Sequence, residues 1–457
     1  MKAGFVCIIL ISMASCVVKI VSPPELSDIL GDKGVIQSSI ANFGHIPYGQ
    51  TIIGQAVFIE QNEYGCNSFG TTLSKFDDLH PIVFVRRGKC SFVQKVRNVE
   101  HGGGKLAIIV DEKNDENVKF ITMVDDGTGS GIMIPSIMIN KDPGEIIIDY
   151  ISITEDEFQA NIKLKASFGI ANKNDDVAYD LVFSVFSDQA LDFIKNFRYY
   201  HDKLKKRAIM TPHYISWPCP TCNSEIKEKD CFGQGKYCAI DIEDMHMSGK
   251  DLLLGNIRQK CIYNNSLKTK DSDIDWWDYM IKAHMLCYDD FTEDCSKMIH
   301  ERLELDYNMT EKCVNDSFIN RGTEDEDNAI LGEDYEFWVS SGYTYVPAVM
   351  INSVRYEGDF VPEYIFEAMC SAYYTKPEVC TKDSNLNETT TYVSVAKTPV
   401  KFNWFVFIII ILIVLNVLLV CVCIKRNKDV IKIHVKEAMG KHKKYAKFDK
   451  SSGGNKL

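Results

Sequence analysis

Phe84-Val85-Arg86-Arg87-Gly88-Lys89-Cys90-Ser91-Phe92, followed shortly by Leu106-Ala107-Ile108-Ile109-Val110-Asp111, decides the fold class of this chain. The first block opens on a short β-branched run at 82–86, and the second is a buried-type strand. Between them 92–101 reads as a helix, which Gly102-Gly103-Gly104 stops. Strand, helix and strand in succession specify an α/β unit. Working outward, 51–59 is another β-branched run and 132–139 another apolar one. An α/β (α+β) domain is therefore expected over 17–153, with the polar, irregular tract 154–176 as a linker.

A second domain is expected over 177–380. It begins with a strand at 179–186. Asp188 is the expected N-cap of a helix running to about 197, whose apolar face is Leu191, Phe193, Ile194 and Phe197. The cysteine-dense stretch 219–313 carries helical patches at 276–286 and 295–303, with Trp276 and Trp277 assigned to the core. A strand at 346–351 and a helix near 363–374 close the region. Residues 381–401, rich in Ser, Thr, Asn and Lys, read as a stalk.

The two ends of the chain set the topology. Residues 1–16 have a charged start, an apolar stretch too short to span a bilayer, and small residues at Ala14-Ser15-Cys16; they read as a signal peptide. Residues 402–424 read as one transmembrane helix: the run 404–424 has 21 residues with Asn416 its clearly polar member. Lys425, Arg426 and Lys428 follow at once, which places the tail 425–457 in the cytosol. That tail has eleven Lys/Arg against Asp429, Glu437 and Asp449, a net of +8. With the whole chain at −12, the remainder carries −20. A basic tail suits an anionic leaflet, and nucleic acid is not an expected partner.

Sixteen cysteines divide in the same way. Cys7 and Cys16 fall in the leader, Cys421 and Cys423 at the inner end of the span. The twelve luminal ones (Cys66, Cys90, Cys219, Cys222, Cys231, Cys238, Cys261, Cys287, Cys295, Cys313, Cys370 and Cys380) read as disulfides of an oxidising compartment, with zinc binding by Cys219 and Cys222 as the weaker option. Sequons stand at Asn264, Asn308, Asn315 and Asn387.

The block from Phe84 to Asp111, continued by Thr122-Met123 and Ile134-Pro135-Ser136, resembles a protease-associated (PA) domain. Further on, Thr211-Pro212-His213-Tyr214-Ile215-Ser216-Trp217, Gly235-Lys236-Tyr237-Cys238-Ala239, Asn256-Ile257-Arg258-Gln259 and Trp276-Trp277-Asp278-Tyr279 are similar to the central domain of plant vacuolar sorting receptors. Val346-Pro347 and Arg355-Tyr356-Glu357-Gly358 continue that likeness. It departs after Cys380, where the EGF-like repeats of the plant receptors are not found, so their calcium dependence is not carried over.

The resemblance implies a disulfide-rich thioredoxin-like central domain with Pro347 at the cis-proline place. It also implies a PA domain that holds sorting peptides of soluble vacuolar or lysosomal cargo against two loops, Arg87-Gly88-Lys89-Cys90 and a second around Met123, Asp125 and Asp126. Cys66 and Cys90 are the cysteines of that domain, so a bridge between them is expected. Cargo release by protonation of Asp125 and Asp126 is a further expectation. Tyr445-Ala446-Lys447-Phe448 fits the Tyr-x-x-Φ signal, with Tyr445 and Phe448 read by a clathrin adaptor.

These features describe a receptor of Golgi, trans-Golgi network and endosomal or vacuolar membranes, with no cofactor and no catalytic residues. The alternative is a membrane-anchored thiol-disulfide oxidoreductase using Cys219 and Cys222. Against it, the strand-helix junction where such an enzyme needs its thiols reads Ser187-Asp188-Gln189-Ala190. No His-Glu-x-x-His, Gly-x-Ser-x-Gly or P-loop motif is present.

Overall fold

The computed structural model describes residues 12–13, 15–70, 73, 80–153, 162–184, 187–239, 247–287, 292–323 and 326–382. The expected span at 402–424, the stalk, the tail with Tyr445 and Phe448, and Asn387 lie outside them. Among the described residues no helix is long and apolar enough to cross a membrane.

The chain enters through β1 (Ser12–Met13) and β2 (Ser15–Ser22), then α1 (Pro24–Leu30), β3 (Val35–Ile36), β4 (Ser38–Ile40), β5 (Thr51–Val57) and β6 (His80–Arg86). Then come α2 (Phe92–His101), β7 (Leu106–Val110), β8 (Ser136–Ile139), α3 (Lys141–Ile153) and β9 (Lys163–Gly169). Strands β2 to β9 form one eight-stranded sheet in the order β3-β2-β9-β5-β6-β7-β8-β4.

Strands β6 and β7 are buried on both faces, which explains their near-continuous apolar sequences. Phe84, Ile108 and Val110 face α3 through Ile147, Ile148 and Ile151. Val83, Val85, Ala107 and Ile109 face Val93, Val96 and Val99 of α2. Ser91 caps α2 by accepting the Gln94 N–H at 3.2 Å.

Two boundaries differ from the sequence reading. Strand β9 lies inside the tract expected to be a linker, and it sits between β2 and β5. Its buried residues Leu164, Ala166 and Phe168 alternate with Lys163, Lys165 and Ser167, so the period is 2 although the composition is polar. At the other end, β1 and the start of β2 occupy positions 12–13 and 15–16 of the expected leader. Cys16 is buried, and burial pushes its thiol up to about 12.

The second domain contains β10 (Val177–Phe183), α4 (Asp188–Leu204), β11 (Ala208–Tyr214), α5 (Ser224–Asp230), β12 (Cys231–Phe232) and β13 (Tyr237–Cys238). A helical insertion follows: α6 (Gly249–Lys270), α7 (Ile274–Leu286), α8 (Glu293–Leu303) and α9 (Tyr307–Ser317). Next are β14 (Phe318–Ile319), β15 (Asp327–Asn328), α10 (Ala329–Ser341), β16 (Ala348–Ile351), β17 (Val354–Arg355), α11 (Pro362–Ser371) and α12 (Val379–Lys382).

Its sheet runs β1-β17-β16-β10-β11, with β10 and β11 parallel and β16 and β17 antiparallel. A βαβ unit followed by a ββα unit in that strand order is the arrangement expected of a thioredoxin-like domain, and the Val346–Pro347 peptide is cis. The cap of α4 is Ser187 rather than Asp188: Ser187 has the extended backbone a cap requires, and its hydroxyl accepts the Ala190 N–H.

Candidate functional site

The segment between β6 and α2 carries the first expected loop. Gly88 has φ +100°, and a Cβ there would stand 3.0 Å from Glu112 Oε1, so glycine is needed for this turn. The Arg87 N–H donates to the Val110 carbonyl, and its guanidinium donates to Asp111 Oδ1 at 3.0 Å. Asp111 is buried, whereas the Arg87 side chain is 41% exposed. One edge of the guanidinium is thus fixed, its face stands 5.7 Å from the Phe92 ring centroid, and the side chain stays partly open to solvent.

Lys95 lies buried beneath this loop. Its ammonium donates to the carbonyls of Gly88 (2.5 Å) and Tyr64 (2.6 Å), joining the two segments that the Cys66–Cys90 disulfide also joins. Burial and the charge of Lys89 lower that ammonium to about 8. The exposed Lys89 lays its own ammonium 3.8 Å from the Tyr64 ring centroid.

The second expected loop follows Met123, which is fully buried in the core beneath it. Its side chain is therefore not presented to a ligand, a correction to the reading of Met123 as a contact residue. Asp125 Oδ1 accepts the N–H groups of Gly127 and Gly129, and Asp126 accepts the Thr128 N–H and hydroxyl. Arg97 of α2 donates to the Thr128 carbonyl. This contact ties the second loop to the helix that begins where the first loop ends. The nearby Ser91 hydroxyl and the Thr128 donors hold the exposed Asp126 carboxyl below its ordinary range.

Behind the second loop the two domains meet. The Gly44 N–H donates to Asp359 Oδ1 at 2.8 Å, and the Asp359 N–H returns a bond to the Gly44 carbonyl. Tyr48 accepts the Glu357 N–H at 2.9 Å and donates to the Glu357 carbonyl at 3.1 Å. Arg355 reaches Thr122 at 3.2 Å and pairs with buried Glu357 at 3.1 Å. Burial pushes the Asp359 carboxyl up to about 6, with the charge of Asp125 acting in the same direction.

With this geometry established, comparison with known proteins is informative. Residues 180–370 match the vacuolar sorting receptor thioredoxin-like domain, and residues 52–147 match the PA domain. The chain joins a PA domain to a vacuolar sorting receptor thioredoxin-like domain. It is 30% identical over 377 residues to vacuolar-sorting receptor 5 of Arabidopsis thaliana, covering 77% of this chain and 59% of that one. Vacuolar-sorting receptor 1 of Pisum sativum is 29% identical over 385 residues, with 78% and 60% covered. The chain thus spans about three-fifths of the length of these relatives. Among solved structures, the oxidoreductase DsbA from Xylella fastidiosa aligns with a TM-score of 0.26 and 6% identity, over 46% of this chain and 88% of that one; nothing is argued from so distant a likeness.

The cysteines of the thioredoxin-like domain are bridged as Cys219–Cys222, Cys231–Cys238, Cys261–Cys313, Cys287–Cys295 and Cys370–Cys380. The zinc option for Cys219 and Cys222 is corrected by their bridge, which leaves no thiolate to bind a metal. That pair lies beyond β11 and before α5, not at the start of α4, where Gln189 stands. Asn264 lies in α6, and Asn308 and Asn315 lie in α9. Sequence reasoning did not find the supporting roles of Ser91 and Lys95, nor Asp359. Their signal is spatial: Asp359 meets Gly44 across 315 positions of chain.

Proposed function

We propose that this chain is a type I membrane receptor that binds sorting peptides of soluble proteins in the Golgi and endosomal lumen. It carries them toward a vacuole- or lysosome-like compartment, with Tyr445 and Phe448 recruiting a clathrin adaptor. The observation that carries this reading is the pairing of two loops on the PA domain. The half-exposed guanidinium of Arg87 is anchored by Asp111 on a loop that Lys95 and the Cys66–Cys90 bridge fix, and the carboxylates of Asp125 and Asp126 are held by N–H groups of their own loop. A preset guanidinium beside fixed backbone donors suits an extended peptide.

Gly88, Lys89 and Cys90 supply the shape of the first loop, and Asp125 and Asp126 the charge of the second. The relatives' names support the receptor reading over an oxidoreductase. The test is affinity capture of soluble secretory proteins on the detergent-solubilised full chain. Wild type is expected to retain a defined set, and Arg87→Ala to reduce its recovery about tenfold, the effect of losing one charge-assisted hydrogen bond. Equal recovery by both forms would refute the reading.

A further inference from the structure

We propose that the junction between the PA and thioredoxin-like domains is a second peptide subsite, one that takes the cationic side chain of a bound lysine or arginine. The inference rests on the receptor reading above and extends it from the PA loops to the thioredoxin-like domain. A cavity of about 320 Å³ lies at this junction. Asn42, Asp125 and Ser130 line it from the PA side; Tyr345, Pro347, Asp359 and Phe360 line it from the other. Gln189, from the first turn of α4, also borders it, so the cavity occupies the place where a thioredoxin-like enzyme would present its thiols. Here that place has kept a cleft and carries no cysteine. Clefts at domain junctions with apolar walls and a few convergent polar groups are favoured ligand sites.

Charge and shape select the ligand. The lining holds two carboxylates, Asp125 and Asp359, and no lysine or arginine. Gly127 and Gly129 bind Oδ1 of the first, and Gly44 binds Oδ1 of the second, so each keeps Oδ2 as a further acceptor. The Asp125 charge already disfavours ionisation of Asp359, and a cation between them relieves that repulsion. The Tyr345 and Phe360 rings and Pro347 offer apolar surface for the methylene stem of a long basic side chain. Asp125 lies in the loop whose Thr128 carbonyl accepts from Arg97 of α2, the helix that begins where the Arg87 loop ends. One extended peptide can therefore touch Arg87 and still place a basic residue in the cleft.

A random heptapeptide library selected on the detergent-solubilised full chain tests this. Wild type is expected to enrich peptides with Lys or Arg at one position. Asp359→Asn, which keeps an acceptor for the Gly44 N–H, should lose that preference and weaken the enriched peptides about tenfold or more. Gln189→Lys, at an exposed position, places an ammonium in the cleft and should do the same without disturbing the core. Peptides that depend on Arg87 but show no basic preference, or that bind Asp359→Asn unchanged, would overturn the subsite and leave the receptor reading standing. Failure of wild type to enrich any peptide would remove both. Calcium binding by calorimetry, abolished in Asp359→Asn, would assign the cleft to a metal and overturn the proposal.

Discussion

At the scale of single residues, Lys95 shows how a buried charge can serve a surface loop. Its ammonium is the donor shared by the Gly88 and Tyr64 carbonyls. A Lys95→Met substitution retains the stem volume but takes the ammonium from the Tyr64 carbonyl and leaves the Gly88 carbonyl with the Cys90 N–H alone. Leaving a desolvated carbonyl without its donor costs about 1–3 kcal/mol. The expected result is a lower urea midpoint for the full chain and faster hydrogen exchange at 87–91; unchanged exchange there would refute the clamp.

Acid sensitivity of stability at the domain junction is shared by two carboxyls, Asp359 and Glu357, which burial lifts to about 6 and about 7. Hydrogen bonds hold Asp126 low, whereas burial lifts Asp359 to about 6. Because the folded-state value lies above the ordinary carboxylate value, the folded chain binds more protons than the unfolded chain between about pH 4 and 6. Through this group, stability therefore falls as pH rises through that window and is gained on acidification. His45 and the Gly44 N–H act in the opposite direction to Asp125 on the same carboxyl. Thermal melts between pH 7 and pH 4.5 are expected to show a smaller acid gain for Asp359→Asn than for wild type. Parallel profiles would show that another group sets the slope.

At the scale of elements, periodicity and punctuation made the larger units legible. Helix α2 was readable because three glycines end it, and the structure adds the Ser91 cap and the buried face of Val93, Val96 and Val99. Strands β6 and β7 were readable because both their faces are buried. Strand β9 was hidden because the polar composition of its neighbourhood masked the alternation of Leu164, Ala166 and Phe168. The two-residue strands β1 and β17 are too short to carry a period at all. The first loop, Arg87 to Cys90, was named through the PA-domain resemblance, and the structure places it between the end of β6 and the Ser91 cap of α2. The junction could not be located, because Asn42, Asp125, Pro347 and Asp359 come from four distant segments that only the tertiary fold brings together. Met123 was misjudged for a related reason: its place beside a loop says nothing about which way the side chain points.

At the scale of the whole molecule, the domains share more than a boundary. One hydrophobic cluster runs from Phe84 and Phe168 of the PA sheet through Tyr179 and Phe197 to Ile365. Gly49, with φ +79°, brings its Cα so close to α11 that a Cβ would lie 2.9 Å from the Ser371 Cβ. The position of β9 then governs how the protein can be dissected. β2 and β5 both pair with β9, so a fragment cut at 153 would expose two naked strand edges in the middle of its own sheet. Fragment 17–153 is expected to be recovered mainly in aggregates, and fragment 17–170 in solution; equal solubility would contradict the topology. On the ribosome the same geometry imposes a wait: the first sheet has no centre until some 170 residues have emerged, by which point the second domain has begun to follow.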